Sequence, residues 1–204
     1  MLTLFYCPGA CSMASHIVLE ESGEKYAGHK INLMQGEQRS AEYLKINPHA
    51  KVPALTLDDG EVLTENTAIL PYLGKRFGLW PKDAKAELRA HSWIGYFAST
   101  VHPANTHVVR PERYSADAAA HDGIKDAGRT AFHGYLKEID ALYAGKDWLF
   151  GDFSVVDPYA FVFYTWGIRR ELPVHELKNY TALKDRMLKR PAVQRVVEDE
   201  KIKV

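Results

Sequence analysis

The segment Leu2 to Ser12 constrains this chain more than any other. Leu2-Thr3-Leu4-Phe5-Tyr6 is β-favouring and meets Cys7-Pro8-Gly9-Ala10-Cys11-Ser12, which reads as a strand ending in a loop. Beyond it Met13, Ile17 and Val18 share a helical face, the pattern continues to Glu21, and Gly23 supplies a stop. A strand that hands over so quickly to a helix calls for a sheet with helices packed on it. Cys11 falls at the handover, at or next to the helix N-terminus. Unpaired N–H groups there favour an anion, so the position predicts a lowered thiol pKa and a reactive cysteine. The competing reading is a buried structural cysteine.

The strand and helix signals continue to alternate. Ala27, His29, Ile31 and Leu33 predict a second strand, and a short helix over 41–46 stops at Asn47-Pro48 because the residue before proline disfavours helix. Val52-Pro53-Ala54-Leu55-Thr56-Leu57 is a third strand with proline near its start. Asp59-Gly60 signals a hairpin into Glu61-Val62-Leu63, and a helix follows from about Thr67 to Phe77, interrupted by Pro71.

Strand signals then vanish. Gly78-Leu79-Trp80-Pro81-Lys82-Asp83 reads as a linker, and one long helix is expected from Ala84 to about Thr106. A second long helix is expected to reach about Tyr143, with Phe132, Tyr135, Leu136, Ile139 and Tyr143 at three- and four-residue spacing. Ser154-Val155-Val156-Asp157 has capping-box form before an apolar run to Ile168, and shorter helices are expected at 181–189 and 192–198. The expected organisation is α/β in residues 1–78, a linker at 79–84 and an all-α part in 85–204.

Composition narrows the function. Lys+Arg and Asp+Glu are 26 each, so no net field favours nucleic acid or an anionic membrane. The apolar window from Pro158 to Ile168 is too short to span a bilayer, and the start lacks a basic leader. The only cysteines, Cys7 and Cys11, point to a reducing, cytoplasmic setting, and their spacing is one residue longer than C-x-x-C. The nine histidines form no pair with metal-ligand spacing, so no metal is expected.

Cys11, the strand entrance Lys51-Val52-Pro53 and the pair Glu65-Asn66 before a helix can be read together. From sequence alone Pro53 is expected trans, since X–Pro bonds are cis only about 5–6% of the time. Glu65-Asn66 is either a helix cap or a holder of a ligand carrying both carboxylate and ammonium, such as a γ-glutamyl group.

With Phe5-Tyr6-Cys7-Pro8-Gly9-Ala10-Cys11-Ser12, Ile46-Asn47-Pro48-His49-Ala50-Lys51-Val52-Pro53-Ala54-Leu55, Leu63-Thr64-Glu65-Asn66-Thr67-Ala68-Ile69, Val101-His102 and Phe153-Ser154-Val155-Val156-Asp157 in this order, the chain resembles a cytosolic glutathione transferase of the bacterial beta class. The resemblance covers essentially the full length. It implies a thioredoxin-like N-terminal domain followed by an all-helical C-terminal domain, a homodimer, and glutathione as cosubstrate. It also implies roles for single residues. Cys11 would lie beside the glutathione sulfur and be able to form a mixed disulfide with it, and His102 would point at that sulfur from the second domain. Val52 would pair its backbone with the cysteinyl part next to a cis Pro53, Glu65 and Asn66 would hold the γ-glutamyl end, and Lys51 would reach the glycyl carboxylate. Gln35 stands where the family often has lysine, Asn66 where it has serine, and Pro103 where it often has a basic residue. Ser154 and Asp157 would be structural.

The expected chemistry is attack of glutathione thiolate on a small, largely apolar electrophile held between the domains, with the Pro8–Ala10 loop, Phe97, His102 and Trp166 as walls. Disulfide exchange or peroxide reduction through Cys11 is a second activity compatible with the same site. The rival from another class is a non-catalytic carrier or interaction protein on the same fold. Tyr6 is expected to pack rather than to act.

Overall fold

The computed structural model describes all 204 residues, Met1–Val204. Four strands, β1 (Thr3–Tyr6), β2 (Ala27–Lys30), β3 (Ala54–Thr56) and β4 (Val62–Thr64), form one sheet in the order β2-β1-β3-β4. β1 runs parallel to β2, and β3 pairs antiparallel with both β1 and β4. Three helices complete this part: α1 (Met13–Ser22), α2 (Ala41–Ile46) and α3 (Asn66–Phe77). The sheet is mixed because β1 and β2 are joined through α1, whereas β3 and β4 are joined by the Asp59-Gly60 turn. This is the thioredoxin-like arrangement, and the rest of the chain is helical.

β2 is shorter than its alternating residues predict. It ends at Lys30, and its pattern of exposure is that of an edge strand, with Ile31 just beyond it the buried residue. α1 departs from a simple amphipathic surface helix. Every residue from Met13 to Leu19 is buried, because α3 covers one side and two helices of the second half cover the others. α1 is therefore the seam between the halves, and one continuous apolar core runs from Leu2 to Ile202 across it.

α3 ends on Gly78, whose φ of 71° closes the helix in the left-handed conformation that glycine adopts without a Cβ penalty. The chain then enters α4 (Ala84–Tyr96), whose first turn is capped by the Asp83 carboxylate accepting from the Ala86 N–H at 3.0 Å. The single long helix expected over 84–106 is divided. A π-helical turn, Phe97–Val101, separates α4 from α5 (His102–Val109), and the His102 N–H reaches back five residues to the Phe97 carbonyl. Pro103 supplies the reason: it has no N–H for the Ser99 carbonyl and its ring crowds that turn, so the ladder widens just before it.

α6 (His121–Leu142) and α7 (Val156–Arg169) follow, then α8 (Lys178–Leu188) and α9 (Pro191–Asp199). α7 is the spine of this half, with Val156 to Gly167 all buried. Asp157 in its first turn is fully buried and accepts four hydrogen bonds, from the Ser154 N–H (2.8 Å), the Ser154 hydroxyl (3.0 Å), the Leu149 N–H (3.1 Å) and the Tyr143 hydroxyl (2.8 Å). The capping-box signal thus marks a hub that ties α6, the following loop and α7 together.

Candidate functional site

The loop after β1 is closed on itself. The Ala10 N–H bonds the Cys7 carbonyl at 3.0 Å, while the Ser12 hydroxyl accepts from the Cys7 N–H at 3.1 Å and donates to the Cys7 carbonyl at 3.3 Å. Cys11 leaves this loop just before α1, with its Sγ–H donating to the Val52 carbonyl at 3.4 Å. The Val52–Pro53 bond is cis, as the resemblance implies and against the expectation from residue statistics. The Lys51 carbonyl is fixed by the Tyr43 hydroxyl (2.6 Å) and the Asn47 amide (2.7 Å), so the strand entrance is held rigidly beside Cys11. The Val52 N–H donates to no group of the chain.

Two expectations about this cluster need correction. Burial pushes the Cys11 thiol up to about 12, and the nearby Glu65 carboxylate adds to the rise. The N–H groups of Cys11 and Ser12 and the charge of Lys51 pull the other way and are outweighed. Cys11 is therefore a thiol at neutral pH, not the thiolate that its place at a helix start predicts. The second correction concerns Asn66. Its side chain is buried, with the amide donating to the Cys11 carbonyl at 2.9 Å and the oxygen accepting from the Ser15 hydroxyl at 2.8 Å. It locks α1 to α3, so what it offers a ligand is backbone at the start of α3.

Glu65, immediately before α3, is exposed and holds φ 68°, in the left-handed range that non-glycine residues rarely adopt. Its carboxylate has no cation within 4.0 Å, and the Lys51 ammonium has no carboxylate within that distance. Both charges act on Cys11, so two unpaired charges of opposite sign stand around one sulfur. Gln35 lies in the exposed connection after β2, where its N–H bonds Asn32 Oδ1; no hydrogen bond joins its side chain to this cluster.

His102 opens α5 and stands edge-on to Trp166, with ring centroids 4.9 Å apart. Burial lowers its pKa to about 4, helped by the positive charges of Lys51 and Arg113, so the ring is a neutral imidazole at physiological pH. Phe97 is no pocket wall. It is fully buried on the π turn, edge-on to Tyr159 (5.6 Å) and Phe163 (5.4 Å) in the helical core. Trp166 does reach the site, but through its indole N–H, which donates to the Gly9 carbonyl at 2.9 Å.

Gly9 is where the helical half grips the cysteine loop. Besides Trp166, the Arg169 guanidinium donates to the Gly9 carbonyl at 3.0 Å, and the Gly9 N–H donates to the buried Glu200 carboxylate at 2.6 Å. Glu200 also bonds His16 Nδ1 at 2.8 Å. Gly9 needs to be glycine: φ is 68°, and an added Cβ would lie 2.0 Å from an Arg169 nitrogen. Tyr6 packs as expected, buried with its hydroxyl on Asp199 Oδ2 at 2.6 Å, and burial with that carboxylate raises its pKa further. Sequence reasoning missed Glu200 and Arg169. The available signal was His16, a polar residue on the apolar face of α1 that requires a buried partner.

Comparison with known proteins matches this geometry. Residues 1–75 match the family described as Glutathione S-transferase, N-terminal domain. The chain is 32% identical to Glutathione S-transferase GstA of Escherichia coli O157:H7, over 99% of this chain and 100% of that protein. A glutathione transferase homologue from Sulfitobacter, solved with bound glutathione, superposes with a TM-score of 0.93 at 30% identity, covering 100% of this chain and 99% of the other. The beta class glutathione S-transferase of Sphingomonas chungbukensis gives a TM-score of 0.85 at 33% identity, covering 97% and 98%. The chain belongs to the glutathione S-transferase family.

Proposed function

We propose that this protein binds glutathione beside Cys11 and transfers its sulfur to small electrophiles, in the manner of the bacterial beta class and as a homodimer. The observation that carries the reading is the pair of unpaired charges of opposite sign, Glu65 and Lys51, both acting on the same buried sulfur. That layout suits a tripeptide with a cationic and an anionic end and a thiol between them. The γ-glutamyl ammonium goes to the Glu65 carboxylate, and its carboxylate to the N–H groups opening α3. The cysteinyl backbone takes the free Val52 N–H, and the glycyl carboxylate approaches Lys51.

The glutathione thiol is then the nucleophile. On ionisation its sulfur attacks the electrophilic carbon, the new C–S bond forms from the sulfur lone pair, and the leaving group departs with its bonding pair. Cys11 stays a neutral thiol and does not compete as an anion; its single S–H lies on the Val52 carbonyl and has to turn from it to donate to the glutathione sulfur. His102, a neutral imidazole too weakly basic at about 4 to hold the thiol proton, accepts a hydrogen bond from the glutathione thiol at its unprotonated nitrogen, and the proton released on ionisation passes to solvent. Lys51 and Arg113 add a positive field that favours the thiolate. Disulfide exchange through Cys11 is a minor activity in this scheme, because so little of a thiol raised to about 12 is ionised at neutral pH. The dimer face is built around α4, where Leu88 is 70% exposed, and the rim of the sheet part.

Calorimetric titration with glutathione, followed by aryl-halide conjugation, tests the reading. Binding and turnover are expected, and Glu65→Gln should lose about 2 kcal/mol or more of glutathione affinity with little change in stability. Absence of binding, or unchanged affinity in Glu65→Gln, overturns it.

A further inference from the structure

A second cleft opens where α1, β2 and α9 meet, and none of the residues assigned to glutathione lines it. Its volume is about 330 Å³, at the small end for a ligand site, so it suits a small occupant. Three rings form its walls. Tyr6 tilts against the His16 imidazole with centroids 4.6 Å apart, and Tyr26 meets that imidazole edge-on at 6.0 Å. Gly28 leaves room beside Tyr6, since a Cβ there would stand 3.2 Å from Tyr6 Cε1. The polar groups of the cleft pair with one another. The Tyr6 hydroxyl donates to Asp199 Oδ2 at 2.6 Å, and the Lys30 ammonium holds Oδ1 at 3.0 Å. The Tyr26 hydroxyl donates to Glu20 Oε1 at 2.7 Å, and Arg195 Nε donates to Oε2 at 2.7 Å. His16 is the exception. It is only 5% exposed and its Nδ1 bonds Glu200 Oε1 at 2.8 Å, yet its Nε2 has no partner in the chain and opens into the cleft that the ring lines. Because the Glu200 carboxylate accepts, the neutral ring carries its proton on Nδ1 and leaves a lone pair on Nε2. An acceptor so deeply set calls for an N–H or O–H donor from an occupant. Charge selects among donors. Glu20, Asp199 and Glu200 stand against Lys30 and Arg195, three carboxylates to two cations, so negative charge is in excess. Both cations are already engaged by carboxylates, which leaves an anion no free partner.

We propose that this cleft binds a small primary alkylamine, whose ammonium donates to His16 Nε2 beside Glu20 and Asp199 and whose alkyl stem lies against Tyr6 and Tyr26. Each carboxylate oxygen accepts one hydrogen bond within the cleft and keeps a second lone pair for the remaining ammonium N–H groups. The phenol rings add attraction for the cation. A quaternary ammonium matches the charge and the rings but brings no donor to Nε2. The imidazole also carries the occupant's effect inward. With Nε2 engaged the ring proton is held on Nδ1, where it bonds Glu200, and Glu200 in turn accepts from the Gly9 N–H. The site does not depend on the glutathione-transfer reading.

Calorimetric titration of the full chain with n-butylammonium, butyltrimethylammonium and n-butanol, at constant ionic strength, tests the proposal. The primary ammonium should bind at least about tenfold tighter than either of the others, the strength of one charge-assisted hydrogen bond. Nitrogen NMR of the histidine rings should show His16 Nε2 shifting with n-butylammonium and not with n-butanol. Gly28→Val fills the space beside Tyr6 with a side chain that suits a strand, and should abolish binding. His16→Asn keeps an amide N–H for Glu200 but removes the Nε2 acceptor, and should bring the affinity for n-butylammonium down to that for butyltrimethylammonium. Equal affinity for the three probes, or n-butylammonium binding unchanged in Gly28→Val, overturns the proposal whether or not His16→Asn folds. A folded His16→Asn protein that binds n-butylammonium as tightly as the native chain overturns it as well.

Discussion

Truncating Glu200 to alanine should loosen the cysteine loop from a distance of almost the whole chain. Its carboxylate is fully enclosed and accepts from the Gly9 N–H at 2.6 Å and bonds His16 Nδ1 at 2.8 Å, with the His16 side chain only 6% exposed. Glu200→Ala leaves two buried polar groups without partners, each costing about 1–3 kcal/mol. The sum, about 2–6 kcal/mol, brackets the cost of about 3–5 kcal/mol for breaking a buried pair from one side. For a chain of this size each kcal/mol lowers Tm by about 2–4 °C, so a fall of roughly 4–24 °C is expected. The effect should not stop at stability. Gly9 is held from its N–H side by Glu200 and from its carbonyl by Trp166 and Arg169, and releasing one side frees the loop that carries Cys11. Urea denaturation with the slope compared between variants gives the stability, and the KM for glutathione gives the site. A loss under 1 kcal/mol together with an unchanged KM would refute the claim that the C-terminal end of α9 positions the loop.

Other outcomes follow from the same geometry. Cys11→Ala should abolish glutathione-dependent disulfide exchange while retaining most aryl conjugation; full exchange activity in that variant would place the reactive thiol elsewhere. Because His102 is held down to about 4, the acid limb of the conjugation rate should be that of the glutathione thiolate alone and keep its position in His102→Gln, with no separate histidine limb. A limb near 6.5 that disappears in His102→Gln would contradict this. Asp157→Ala removes the acceptor of four hydrogen bonds and should cost about 3–5 kcal/mol in chemical denaturation, with glutathione affinity little changed in the folded fraction. Light scattering at micromolar concentration should report a dimer, and Leu88→Glu should shift it toward monomer.

Much of the fold is legible because its signals are local. The run Leu2–Tyr6, the breaker Pro8-Gly9 and the helical spacing of Met13, Ile17 and Val18 define β1, the loop and α1 without reference to any other residue. The break between α4 and α5 is less legible. Apolar periodicity continues through Phe97 and Val101, and only the missing donor of Pro103 betrays the π turn. The site residues that misled share a cause, since their state is set by groups far along the chain. The helix-start position of Cys11 is local, but the burial that raises its pKa and the approach of Glu65 are tertiary. Asn66 has the residue type of a ligand holder, yet Ser15 and the Cys11 carbonyl occupy its side chain. Glu200 carries no motif at all, and its importance comes from a hydrogen bond to a residue 191 positions earlier.

The central claim is that glutathione binds beside Cys11 and that its own sulfur, not that of Cys11, is the ionised nucleophile. Thiolate absorbance of the protein–glutathione complex, followed across pH in the native protein and in Cys11→Ala, tests it directly. The account predicts a single thiolate that needs glutathione, titrates below the ordinary thiol value of about 8.5 and persists in Cys11→Ala. A thiolate present without glutathione, or one lost in Cys11→Ala, would contradict it.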